Sequence, residues 1–89
     1  MAGNSGATIQ NAPTAPNLTI SGPCTINNFA VGVGLGNCQP VFGSITGAAN
    51  VTGAKYIANM NGVINTGTGN INYLPGSTPG STASGGQYN

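Results

Sequence analysis

The chain has 89 residues, no Asp, Glu or His, and a single Lys, for a formal net charge of +1 at pH 7. General acid–base chemistry needs a side chain that titrates near neutrality, and a nucleophile needs a base beside it, so catalysis is not expected. Structural metal sites draw on four Cys, His or carboxylate ligands, calcium and magnesium on carboxylates, and nucleic acid on clustered positive charge; two Cys and Lys55 meet none of these needs.

Residues 1–16 read as a polar, extended N-terminal arm with a short strand-like piece at Thr8 to Gln10; Pro13 and Pro16 oppose a regular helix there. Residues 17–74 carry the β signal. Asn17 to Ile20 alternates and stops at Ser21-Gly22-Pro23, and Cys24 to Asn27 runs on into Phe29-Ala30-Val31. Over Val31-Gly32-Val33-Gly34-Leu35, strand geometry puts Val31, Val33 and Leu35 on one side and the glycines on the other, where a second backbone can come close.

Gly36-Asn37 is a turn signal, and Val41 to Thr46 is a further strand candidate. Gly47 to Gly53 reads as loop, and Ala54 to Met60 is the one place where a helical turn is expected. Lys55 reads as a solvated residue blunting an edge strand, or as a contact to a partner's carboxylate or phosphate. Asn61-Gly62 signals a hairpin, Val63 to Asn65 a strand, and Asn70 to Leu74 an alternating strand. Residues 75–89 repeat Pro-Gly-Ser-Thr twice and then run through Gly, Ser and Gln, which reads as a low-complexity C-terminal tail. Thr-Ile pairs recur at Thr8-Ile9, Thr19-Ile20 and Thr25-Ile26 but at irregular spacing, and no fixed period of solenoid length appears, so a β-helix-like stack is allowed but not indicated.

The expected fold is therefore all-β: a small Gly/Asn/Thr-rich domain of hairpins or a short sandwich over 17–74, with extended arms at 1–16 and 75–89. At this length a core is marginal, and 16 glycines add to the entropy lost on folding. The apolar residues between Leu18 and Leu74 are expected to form the core or an interface. A surface almost free of charge has little repulsion to keep copies apart. Association with copies of the chain, or with a larger structural protein, is expected to supply the missing stability. Tyr56, Tyr73 and Tyr88 are the candidate interface anchors.

Cys24 and Cys38 can form one disulfide closing a loop of about 15 residues, worth roughly 3 kcal/mol, or remain two buried thiols. The N-terminus lacks the basic and apolar regions of a secretory signal, and no apolar run is long enough to span a membrane as a helix. These features together lead to the expectation of a non-enzymatic structural protein. The expected setting is a bacteriophage virion, as a minor capsid, decoration (cement) or spike-associated subunit. No metal, cofactor, nucleic acid or small-molecule substrate is expected. The alternatives are a self-assembling filament or surface-layer subunit at the cell surface, and an ice- or carbohydrate-binding module. Thr66-Gly67-Thr68 is the one Thr-x-Thr pattern that ice binding could use.

Overall fold

The structure, a computed structural model, describes residues 2–4, 8–10 and 16–89. It is all-β, as the composition predicts. In chain order the strands are β1 (Ala2–Asn4), β2 (Thr8–Gln10), β3 (Asn17–Thr19), β4 (Cys24–Val33), β5 (Asn37–Gln39) and β6 (Ser44–Thr46). They continue, after a 3₁₀ turn at Ala48–Asn50, as β7 (Val51–Ala58), β8 (Val63–Ile64), β9 (Ser81–Thr82) and β10 (Gln87–Tyr88).

The arrangement differs from the hairpins or short sandwich expected above. Among the described residues every strand pair is parallel, in three sheets ordered β1-β4-β7-β9, β2-β5-β8-β10 and β3-β6. Partners are far apart in sequence: Ala2 lies beside Val31, 29 positions on, and Ile57 beside Ser81, 24 positions on. A parallel pair needs a long return path. Here the rest of each coil supplies it, so the chain winds as a solenoid with each coil stacked on the one before.

Asn61-Gly62 does make a tight turn, but it joins strands of different sheets. Met60 and Asn61 have φ of 52° and 60°, and the Gly62 N–H donates to the Asn59 carbonyl at 2.9 Å. This type I′-like turn bends the chain from β7 into β8 instead of folding it back antiparallel.

The buried core is Ala30, Cys38, Val51, Tyr56, Ala58, Ile64 and Leu74, with Phe29, Phe42, Tyr73 and Tyr88 packed against it. Burial of the larger of these contributes about 1.5–3 kcal/mol each. The expected split of Val31-Gly32-Val33 occurs, with the glycine side facing in: Gly32 is buried, and a Cβ there would lie 2.8 Å from the Val63 carbonyl oxygen. The valines stay half-buried on the other face. The helical turn expected at Ala54 to Met60 is replaced by β7, where alternate residues Tyr56 and Ala58 are buried. Asn70 to Leu74 is a loop rather than a strand.

Both segments set apart by composition contain strands of the main sheets. Within 1–16, β1 pairs with β4 and β2 with β5; within 75–89, β9 pairs with β7 and β10 with β8. The rest of 1–15 lies outside the described residues. Glycine is required in the last coil by packing: a Cβ at Gly80 would fall on the ring of Tyr56.

The coils vary in length, but one part of each does not. Gly32 and Cys38, Ala58 and Ile64, and Thr82 and Tyr88 occupy matching positions on the first two sheets, each pair six positions apart across a tight turn. In the first coil, Gly3 and Ile9 stand beside Gly32 and Cys38 with the same spacing. The variation falls mainly on the third side, where β3 and β6 pair in the early coils and a loop replaces them later, and one residue of it is taken up by a register shift in β4 between Thr25 and Asn28.

Candidate functional site

The tight turns stack into a ridge along one corner. Val33–Gly36, Asn59–Gly62 and Ala83–Gly86 each place two residues at positive φ: Gly34 and Leu35, Met60 and Asn61, Ser84 and Gly85. Each turn closes by its own hydrogen bond: Gly36 N–H to Val33 O at 2.9 Å, Gly62 N–H to Asn59 O at 2.9 Å, and Gly86 N–H to Ala83 O at 2.9 Å. The turns are also bonded to one another, Leu35 N–H to Met60 O at 3.1 Å and Asn61 N–H to Ser84 O at 3.0 Å.

The fourth residue of each turn is glycine, and at Gly62 and Gly86 the coil below leaves no room for any other. A Cβ at Gly62 would collide with the backbone of Gly32, and one at Gly86 with the backbone of Ala58. Large apolar side chains rarely adopt the left-handed region, which costs about 1–2 kcal/mol for a residue with a Cβ. Leu35 and Met60 nevertheless do so on neighbouring turns, and they are 68% and 62% exposed. The corner thus presents an uncharged apolar ridge to solvent.

Among the described residues no strand pairs with the outer edge of β9 or β10. The Ala83 N–H donates to Ala58 O at 2.9 Å, and the Gln87 and Asn89 N–H groups to Gly62 O and Ile64 O at 3.0 and 2.8 Å. Backbone groups alternate in direction along a strand, so those of Thr82 and Tyr88 point off the stack. The edge is firmly seated. The Tyr88 ring stacks on Tyr56 with centroids 4.0 Å apart, its hydroxyl donates to Asn70 O at 2.9 Å, and the Asn89 carbonyl oxygen accepts from the Thr66 N–H and hydroxyl.

The three tyrosines offered as interface anchors are engaged within the chain. Tyr56 is buried beneath Tyr88. The Tyr73 hydroxyl accepts from the Phe42 N–H at 2.8 Å and donates to the Phe42 carbonyl at 3.0 Å, clamping one coil to the next. Burial pushes the Tyr88 phenol above its ordinary range. The large apolar residues exposed among those described are Leu35, Val41, Met60 and Ile71, and of these Leu35 and Met60 lie on the corner ridge. The signal for those two was there: Leu35 stands between two glycines and Met60 between two asparagines.

The disulfide allowed by the sequence does not form: Cys24 and Cys38 are free. Cys24 opens β4 on the first sheet and is exposed, whereas Cys38 lies on the second sheet and is buried. Burial pushes the Cys38 thiol up, which suppresses the reactive thiolate. Lys55 sits on β7, an inner strand, and its Nζ donates to the Gly76 carbonyl at 2.7 Å, so it does not blunt an edge. Thr66 is buried and its hydroxyl is 3.2 Å from that of Thr68, so Thr66-Gly67-Thr68 is not a flat outward array. Among the described residues no helix is long and apolar enough to cross a membrane.

Comparison with protein-family models, with curated proteins and with solved structures finds no match.

Proposed function

We propose that the chain is a non-enzymatic structural component of a larger assembly. The observation that carries this reading is an outer edge of β9 and β10 with which no strand pairs among the described residues, together with a corner ridge whose first two turns expose Leu35 and Met60. Solenoids are usually closed by polar capping coils, because an uncapped end exposes strand edges and interior side chains. An edge of this kind, on a surface almost free of charge, favours contact with other protein. The residues that can ionise support the same reading: Lys55 is bonded to a backbone carbonyl, Cys38 is buried, and the tyrosines brace the coils.

The proposed setting is a bacteriophage virion, in a minor capsid, decoration or spike-associated role. It rests on the small size, the lack of charge and the Gly/Asn/Thr-rich strands. Antiserum raised to the chain tests it on particles purified from the source. Detection in the particle, in fixed ratio to its main coat protein, is the expected result. Absence from every purified particle overturns the virion setting.

A further inference from the structure

The open edge of β9 and β10 has a defined complement, and the chain itself carries it. Each coil receives the next through two short strands whose facing residues are six positions apart: Gly32 and Cys38 receive Ala58 and Ile64, which receive Thr82 and Tyr88. Thr82 and Tyr88 direct their backbone N–H and C=O groups outward, and among the described residues no strand pairs with them on that side. At the opposite end of the same two sheets lie β1 and β2, which contribute Gly3 and Ile9, again six positions apart.

We infer that the β9–β10 edge takes the β1–β2 edge of a second copy, in parallel register, so that copies stack head to tail. This rests on the assembly reading above and names its partner. Gly3 of the incoming copy falls beside Thr82, and its Ile9 beside Tyr88, continuing both columns of the stack. Unequal coil length is no obstacle, since it leaves the six-residue spacing of the facing positions unchanged in every coil. The two edges are different surfaces, so the contact is heterologous and leaves a free edge at each end of the growing stack. With one Lys and no acidic side chain per chain, added salt neither weakens nor strengthens the contact greatly.

Sedimentation of the full chain over a concentration series tests the inference. The expected result is a mass that rises with concentration and does not level off at the dimer. Thr82→Pro removes one outward N–H and no hydrogen bond within the chain, and proline is accepted on edge strands. That variant should lose homotypic growth, whereas Thr82→Val should keep it. Mixed with unmodified chain, Thr82→Pro retains a normal β1–β2 edge and should cap growing stacks, lowering their mean mass.

A second readout needs no variant: the Thr82 and Tyr88 amides should exchange fast in dilute protein and become protected as concentration rises. A chain monomeric at all concentrations overturns head-to-tail stacking, as does a plateau at the dimer or unchanged exchange of both amides. A monomeric chain that is nevertheless found in purified particles overturns this inference alone. A stacking chain absent from every particle overturns the virion setting alone.

Discussion

Three glycine-to-alanine changes separate the effects that coil stacking imposes. At Gly62 a Cβ would meet the carbonyl oxygen and carbon of Gly32 and the nitrogen of Val33, all backbone atoms of the coil below. Backbone cannot rotate aside as a side chain can, so the cost belongs at the upper end of overpacking, about 3 kcal/mol. For a domain of this size that lowers Tm by about 12–24 °C, against a total stability of roughly 5–13 kcal/mol. At Gly67 nothing lies within 4 Å of a Cβ, but φ is +78°. Gly67→Ala should therefore cost only the left-handed penalty, about 1 kcal/mol, or about 4–8 °C. At Gly22 there is open space and no positive φ. Gly22→Ala should raise stability by about 0.4–1 kcal/mol by restricting the unfolded chain. Thermal unfolding followed by circular dichroism at one fixed protein concentration measures all three. The order Gly22→Ala, unmodified chain, Gly67→Ala, Gly62→Ala is the expected ranking of Tm, highest first. If Gly62→Ala unfolds no lower than Gly67→Ala, the stacked corner does not exist as described.

Other changes probe the remaining contacts. Tyr73→Phe leaves the half-buried Phe42 N–H and carbonyl without their bridge and should cost about 1–3 kcal/mol in urea unfolding; an unchanged midpoint contradicts the clamp. A thiol reagent should label one cysteine of the native chain, Cys24, and the second only after denaturation, while reductant leaves Tm unchanged; labelling of both at once would place Cys38 outside the core. With no carboxylate or imidazole side chain, stability should be flat between about pH 5 and 7. Above about pH 8.5 it should fall as Cys38 ionises in the unfolded chain, and again above about pH 10 for Tyr88. The sign follows from burial: the folded state holds both protons more tightly, so the unfolded state binds fewer and stability declines as pH rises. Stability that increased over the alkaline range would refute the burial of both groups.

The strand content was legible because β-branched and aromatic residues alternate with small ones, as at Val31-Gly32-Val33 and Tyr56-Ile57-Ala58. The winding was hidden for a definite reason. The third side of each coil differs in length, so Gly36, Gly62 and Gly86 recur at unequal spacings and no fixed period survives. Asn61-Gly62 announced a hairpin; the turn spans Asn59–Gly62 with Met60 and Asn61 at positive φ, the same backbone geometry serves a hairpin and a coil corner, and only the partners of β7 and β8 distinguish them. Residues 75–89 looked like a tail because pairing with a preformed sheet asks for backbone groups, not apolar side chains. Gly80 and Tyr88 show how little side chain it needs: one makes way for the Tyr56 ring and the other covers it. The tyrosines stood out as candidate interface anchors, and within the chain they brace neighbouring coils.

Because every ladder joins residues 24 to 29 positions apart, no strand of the described chain can find its partner through a short local loop. Early folding must close an entire coil before any hydrogen bond between strands rewards it, which makes the first step slow. Each later coil then condenses on a finished edge, so growth outpaces initiation. The edge left after the last such step is of the same kind as the one on which that step was built. On the head-to-tail stacking inferred above, the addition of a coil within the chain and the joining of one chain to another would be successive rounds of a single addition reaction. They differ chiefly in effective concentration, set within the chain by the length of a coil and between chains by how many are present.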